Sequence, residues 1–141
     1  MSGQRRAALA GAAAATVWAV LEPLDMRLFR SDYSDVAVLG KAVTRGRGWR
    51  PIGFAVHAVN GAVFGVAFDA VLRRTGLAKR PLAFGAALGE HLTFYPLGYF
   101  VDRYHPARGE PGVRPILRSP RAFAQATARH TLFGYLLGRW A

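Results

Sequence analysis

"LGEHLTFYP", residues Leu88 to Pro96, sets a carboxylate and an imidazole side by side, Glu90 and His91, inside a stretch that is otherwise apolar. A charged side chain at the centre of a bilayer costs about 2.5–3.5 kcal/mol on insertion scales, so it is kept only where it turns inward and finds a partner. Read outward from Glu90, the apolar stretch runs from Pro81 to Val101. Helical residues rise about 1.5 Å each, so a segment of this length covers the roughly 30 Å of a hydrocarbon core. Three more stretches of similar length and character follow the same rule: Ala7 to about Leu24, Pro51 to Leu72 and Phe123 to Trp140.

The expectation is therefore an all-α fold, an integral membrane four-helix bundle in a single domain over 1–141, with spans at about 7–24, 51–72, 81–101 and 123–140. A helical bundle in water is the competing fold. It needs a charged face at helical spacing, which these segments lack. Arg5 and Arg6 followed by "AALAGAAAATVWAVL" have the basic and apolar regions of a signal peptide, but "EPLDMRLF" comes next with no small-x-small cleavage site, so an uncleaved first span is expected.

The mean hydropathy of +0.13 coexists with a formal charge of +11, which requires apolar and basic residues to be segregated along the chain. Arginine outnumbers lysine 17 to 2 and falls almost wholly in the gaps between spans, the pattern of loop charge rather than of a nucleic-acid face. This bias also suits a GC-rich bacterial genome. Cysteine is absent, which excludes disulfides and thiolate metal sites. Lys and Arg near span ends number eleven on the long-loop side and seven on the other, so the long loops lean to the cytoplasmic side of the plasma membrane.

The connections differ in kind. In Asp25 to Arg50, Ser34 can cap a short interfacial helix whose Val36, Leu39 and Val43 share one face. "RRTGLAKR", Arg73 to Arg80, is a tight basic turn. Asp102 to Arg121 holds Pro106, Pro111, Pro115 and Pro120 and reads as an extended loop without regular structure; His105 within it carries no signal.

Self-comparison suggests a duplication. Leu9-Ala10 and Pro23-Leu24 recur as Leu82-Ala83 and Pro96-Leu97, an offset of 73; Phe54-Ala55 and Phe64-Gly65 recur as Phe123-Ala124 and Phe133-Gly134, an offset of 69. The chain then consists of two parallel two-helix repeats, about 7–72 and 81–140, related by an axis along the membrane normal. Rows at i, i+4 spacing mark the expected helix-packing faces: Gly61 and Gly65, Gly85 and Gly89, Gly134 and Gly138.

The polar residues at depth fall into two expected clusters. Glu90, His91, Arg129, His130 and Asn60 form a midplane group, with Glu90 and Arg129 as its ion pair. Glu22, Asp25 and His57 form a second group nearer the long loops: Glu22 and His57 at matched depth for a carboxylate–imidazole contact, Asp25 at the interface. Asp69 has Arg73 one turn on, the spacing of a helix-end salt bridge. No HExxH, CxxCH, Gly-rich phosphate loop or nucleophile context is present, so no catalytic residue and no cofactor is expected; a haem or metal held by His57, His91 and His130 is the weaker alternative. The functional expectation is a non-enzymatic accessory or oligomer-forming membrane subunit, with the lipid bilayer and a second copy or another membrane protein as partners and no nucleic acid. A small transporter or channel for protons, ions or an anionic solute is the runner-up, and a haem- or metal-binding membrane enzyme the third.

Overall fold

The structure, a computed structural model, describes residues 2–141, and these form helices joined by turns and loops. Helix α1 covers Gly3–Phe29, α2 Asp35–Val43, α3 Trp49–Thr75, α4 Lys79–Phe94, α5 Gly98–Tyr104 and α6 Pro120–Trp140, with a 3-10 turn at Tyr95–Leu97. The ends follow local chemistry. Ser2, Ser34 and Ser119 cap α1, α2 and α6 through their hydroxyls. Gly76, at φ 63°, ends α3 in the left-handed conformation open to glycine. Pro23 lies inside α1 without ending it, whereas Pro96 tightens the path from α4 into α5 to a 3-10 turn. Lys79 to Tyr104 is thus one nearly continuous helical path, matching in extent the third apolar stretch of the sequence.

Two helices, α1 and α3, are long and apolar enough to cross a membrane, with mean hydropathies of 1.5 and 1.6 over their best windows. Regular α-helix in α4 stops after 16 residues, and α6 carries Gln125, Arg129 and His130 in its middle. Large apolar side chains point outward on all four long helices, Val20, Val63, Phe84 and Tyr135 among them.

The four long helices pack in the order α3, α1, α6, α4. The seam between α1 and α3 is made of backbone on backbone: a Cβ at Gly11 would lie 2.0 Å from the Gly61 carbonyl oxygen, and one at Gly65 2.1 Å from that of Ala7. Only glycine permits this approach. Between α4 and α6, Gly134 rests on the Ala83 carbonyl and Ala87, and Gly138 on Arg80 and Ala83. Gly85 and Gly89, expected in a packing face, have nothing within 4 Å and turn away from the rest of the chain. The helices α3 and α4, although joined directly by a short turn, touch each other least of the neighbouring pairs.

Both hairpins therefore pack through glycines, but not in the register of the sequence repeat. Gly134 corresponds in sequence to Gly65, and Ala83 to Ala10; Gly134 rests on Ala83, while Gly65 rests on Ala7, nearly one turn away. The short helix α2 forms with Ser34 as its cap, as expected. It is seated on α3: Gly40 sits against the Trp49 carbonyl and Gly53 against that of Val36, so Val36 is buried on α3 while Val43 stays exposed.

The Pro-rich segment after α5 has no regular structure, yet it is tightly pinned. Asp102 accepts from the backbone N–H groups of Ile116 and Leu117, Asp32 from that of Gly112, and Glu110 pairs with Lys41 and Arg45. An isolated bridge joins Tyr33 to Val113. His105 is buried: its Nδ1 accepts from the Ala107 N–H at 3.1 Å, so Nε2 carries the proton and donates to the Val38 carbonyl at 2.8 Å. The two long loops thus form one cap over one end of the helices.

A Cβ at Gly11 must displace the backbone of α3, so Gly11→Ala is expected to destabilise by about 1–3 kcal/mol, while Gly85→Ala leaves stability unchanged or slightly higher. Thermal unfolding in detergent compares the two directly; equal melting points would contradict this packing.

Candidate functional site

Arg129 is the only arginine in the middle of a long apolar segment, and it is 2% exposed. Its guanidinium makes a two-pronged contact with Asp25 of α1, Nε to Oδ2 at 2.7 Å and Nη2 to Oδ1 at 2.6 Å. Nη1 meets Asp35 at 2.6 Å and Glu22 at 3.3 Å, and Nη2 also donates to the Tyr33 carbonyl at 3.2 Å. Planar, five-donor arginine suits such a cage; lysine would not fill it.

Three carboxylates around one cation leave surplus negative charge, which neutral donors stabilise. Glu22 accepts from the Ser34 hydroxyl and the Asp35 N–H, both at 2.6 Å. Gln125, fully buried, donates to Asp25 at 2.7 Å, and the Tyr33 hydroxyl to Asp35 at 2.8 Å. Asp35 also opens α2, where a carboxylate is favoured by the helix dipole. Burial, then the neighbouring Asp35 carboxylate, raises the Tyr33 phenol well above its usual range, which keeps it a donor. Sequence reasoning missed Tyr33, Asp35 and Gln125; the readable signal was the acidic density of "EPLD" and "SDYSD" opposite a single buried arginine.

The expected Glu90–Arg129 pair is corrected by this geometry. Arg129 is held by Asp25, Asp35 and Glu22, while Glu90 meets His130, Oε2 to Nε2 at 2.8 Å. The reason is angular: consecutive helical residues point about 100° apart, and α6 lies between α1 and α4, so Arg129 faces one and His130 the other. The expected Glu22–His57 contact is absent as well, because Glu22 is taken by Ser34, Asp35 and Arg129, and the ring of His57 packs edge-on to Trp18 at 4.9 Å. Asp25, expected at an interface, belongs to the arginine cage.

The second cluster lines a cavity of about 330 Å³ between α3 and α4, floored by α1 and α6. His57, Asn60, Glu90, His91 and His130 all reach its wall, Asn60 from an exposed position. The rings of His91 and His130 stack at 4.7 Å, and Trp18 packs edge-on to His130 at 4.9 Å. His130 Nδ1 lies 2.8 Å from the Ala126 carbonyl and therefore carries a proton; one further proton is shared between its Nε2 and Glu90. Thr127 donates to the Phe123 carbonyl, so His91 Nε2 donates to Thr127 and its Nδ1 is left as an acceptor. Among the described residues, no group of three or more His, Asp or Glu is placed to hold a metal ion. Asp69 and Arg73 form their salt bridge at 3.0 Å, remote from the cavity lining.

Removing the cation from a buried cage strands its acids. Arg129→Gln is expected to cost about 3–5 kcal/mol, and in a double-mutant cycle Arg129 couples strongly to Asp25. Arg129→Gln with Glu90→Gln is instead additive within about 0.5 kcal/mol; recovery of stability in that double variant would restore the original pairing. Acid provides a second readout. Burial alone raises the Asp35 carboxyl, but Arg129 and the Tyr33 hydroxyl bring it below its ordinary value of 3.8. A carboxyl that titrates lower when folded contributes its full stability above about pH 4 and loses it as the pH falls through the folded value. Asp35→Asn should therefore flatten the melting profile below pH 4, and a variant profile parallel to the parent's would contradict the cage. No family model matches this sequence, and no curated protein or solved structure matches it either.

Proposed function

We propose that the chain is a multi-pass integral membrane protein whose four long helical segments cross the bilayer, and that it acts without chemistry of its own, as an oligomer-forming or accessory subunit. The observation that carries this reading is the outer face of α4. Gly85 and Gly89 lie one turn apart there with nothing within 4 Å, on a helix whose other outward residues include Phe84 and Leu92. Paired glycines four apart on an apolar helix let a second helix approach closely in lipid. The same spacing at Gly61 and Gly65 is already filled within the chain by α1.

Two apolar helices and a wide belt of exposed aliphatic and aromatic side chains support the bilayer as the surrounding solvent. The single cap built from both long loops suits an even number of crossings, with the loops on the cytoplasmic side by the distribution of Lys and Arg. Transport of an anionic solute finds less support, because every guanidinium nitrogen of Arg129 already has a carboxylate oxygen within 3.3 Å.

The chain is expected to remain in the membrane pellet after alkaline washing; release into the supernatant overturns the membrane reading. Light scattering in mild detergent, corrected for bound detergent, is expected to give a dimer or larger assembly. Gly85→Leu with Gly89→Leu should reduce it to a monomer of unchanged helical content. A parent protein that is monomeric in detergent and uncrosslinked in native membranes overturns the oligomer reading alone.

A further inference from the structure

At the end of the bundle away from the cap, α4 and α6 meet in two steps one turn apart. A Cβ at Gly138 would lie 3.2 Å from the Arg80 Cα, and one at Gly134 3.0 Å from the Phe84 Cα. Each glycine brings the α4 backbone against α6, so the residue after it stands beside the α4 residue. Arg139 thus neighbours Arg80 at the outer step, and Tyr135 neighbours Phe84 one turn, about 5.4 Å, deeper. These four side chains, with Pro81 and Gly134, line a crevice of about 390 Å³ on the flank of the helix pair.

The outer step carries unbalanced charge. Arg80 and Arg139 are exposed, and among the described residues neither meets a carboxylate. Asp69, the acid of this end, is taken by Arg73 at 3.0 Å, and Lys79 donates to the Ala141 carbonyl. Two cations on adjoining helices with no anion between them repel each other. A phosphate relieves that repulsion, because its oxygens match the planar fork of each guanidinium. The same two charges disfavour a headgroup that brings an ammonium of its own.

The inner step is apolar. Phe84 and Tyr135 are 42% and 66% exposed, and Gly134 between them adds no side chain. A basic mouth one turn above an aromatic wall follows the order of a phospholipid, phosphate outside and acyl chain within, and basic pockets between spanning helices suit such headgroups. The volume is near the small end of ligand pockets, about 300–1,000 Å³, so it suits a glycerol phosphate and the start of one chain rather than a whole lipid.

We infer that this crevice binds an anionic phospholipid, with Arg80 and Arg139 holding the phosphate and Phe84 and Tyr135 flanking the upper part of one acyl chain. The inference rests on the membrane reading for the source of the lipid. It does not depend on the oligomer reading, because Gly85 follows Phe84 about 100° further round α4 and so lies on a separate face.

The full chain in a non-ionic detergent, titrated with phosphatidylglycerol and read by native mass spectrometry, is expected to take up its first lipid about tenfold more tightly than phosphatidylcholine with the same chains. Arg80→Gln with Arg139→Gln is expected to weaken that first binding by about tenfold. Arg47→Gln with Arg118→Gln removes the same charge from the cap and is expected to leave it unchanged. All four side chains are exposed, and circular dichroism is expected to show equal helical content in both double variants. Glycerol 3-phosphate in large excess, a phosphate without acyl chains, is expected to leave the bound lipid in place. Equal first affinity for the two lipids, an equal effect of the two double variants, or displacement by glycerol 3-phosphate overturns the inference. A chain that stays in the alkaline-washed pellet and gives any of these results loses this inference alone, whereas release by the wash overturns the membrane reading itself.

Discussion

One guanidinium ties together parts of the chain that are far apart in sequence. Arg129 on α6 reaches Asp25 and Glu22 on α1 and Asp35 at the start of α2, across about a hundred residues. In a core made largely of alanine, glycine and aromatic rings, apolar contact alone specifies little, because small residues slide past each other at little cost. A buried cation with three acids around it has one satisfactory arrangement, and its neighbours on each element must then fall into place. The energy of such a cage is ambiguous, since desolvation offsets much of the attraction. Its consequence for register is not: a shift of α6 by one residue would rotate Arg129 out of reach of α1.

The cage also explains why the first long loop folds rather than wanders. Ser34 caps α2 and at the same time donates to Glu22, while Asp35 begins α2 and binds Arg129. Helix α2 is therefore seated from its first turn, and Gly40 and Gly53 let it press onto α3. The second long loop is pinned onto the first through Lys41, Asp32, the Tyr33 bridge and His105. Order in a proline-rich segment with no regular structure thus comes from buried polar contacts, each of which closes a long stretch of chain.

What the sequence makes legible here is position along each helix, and what it hides is direction around it. Hydropathy and length mark the four long helical segments to within a few residues, and the all-helical class follows from them. The spacing along the chain puts Glu90 and Arg129 at similar depth, but depth does not say which neighbour a side chain faces; that depends on the order of helices in space, here α3, α1, α6, α4. The glycine rows have the same limit. Gly61, Gly65, Gly85 and Gly89 share one spacing, yet the first two are filled within the chain and the last two are not. The acids of "SDYSD" carry no signal in the sequence, because their role depends on a loop folding back onto α1, a contact without periodicity. Offsets of 73 and 69 imply matching packing, but Gly134 and Gly65 meet their partner helices nearly a turn apart, so common spacing of small residues is as much as the packing carries of the repeat.

The difference between the hairpins decides where the chain leaves internal space. Between α1 and α3 the backbones touch, which leaves no room for a ligand and anchors one side of the molecule. On the other side, α4 passes into α5 through a 3-10 turn at Pro96 and touches α3 little, so the polar residues of "GEH" meet α6 through His130 and Thr127 and border a cavity toward α3. With a rigid seam on one side and a gap on the other, the cage fixes α1 and α6 as a floor, and that floor holds Trp18 and His130 in place. The cost of Glu90 and His91 in an apolar stretch then has a physical offset, because each finds its partner on α6, Glu90 in His130 and His91 in Thr127.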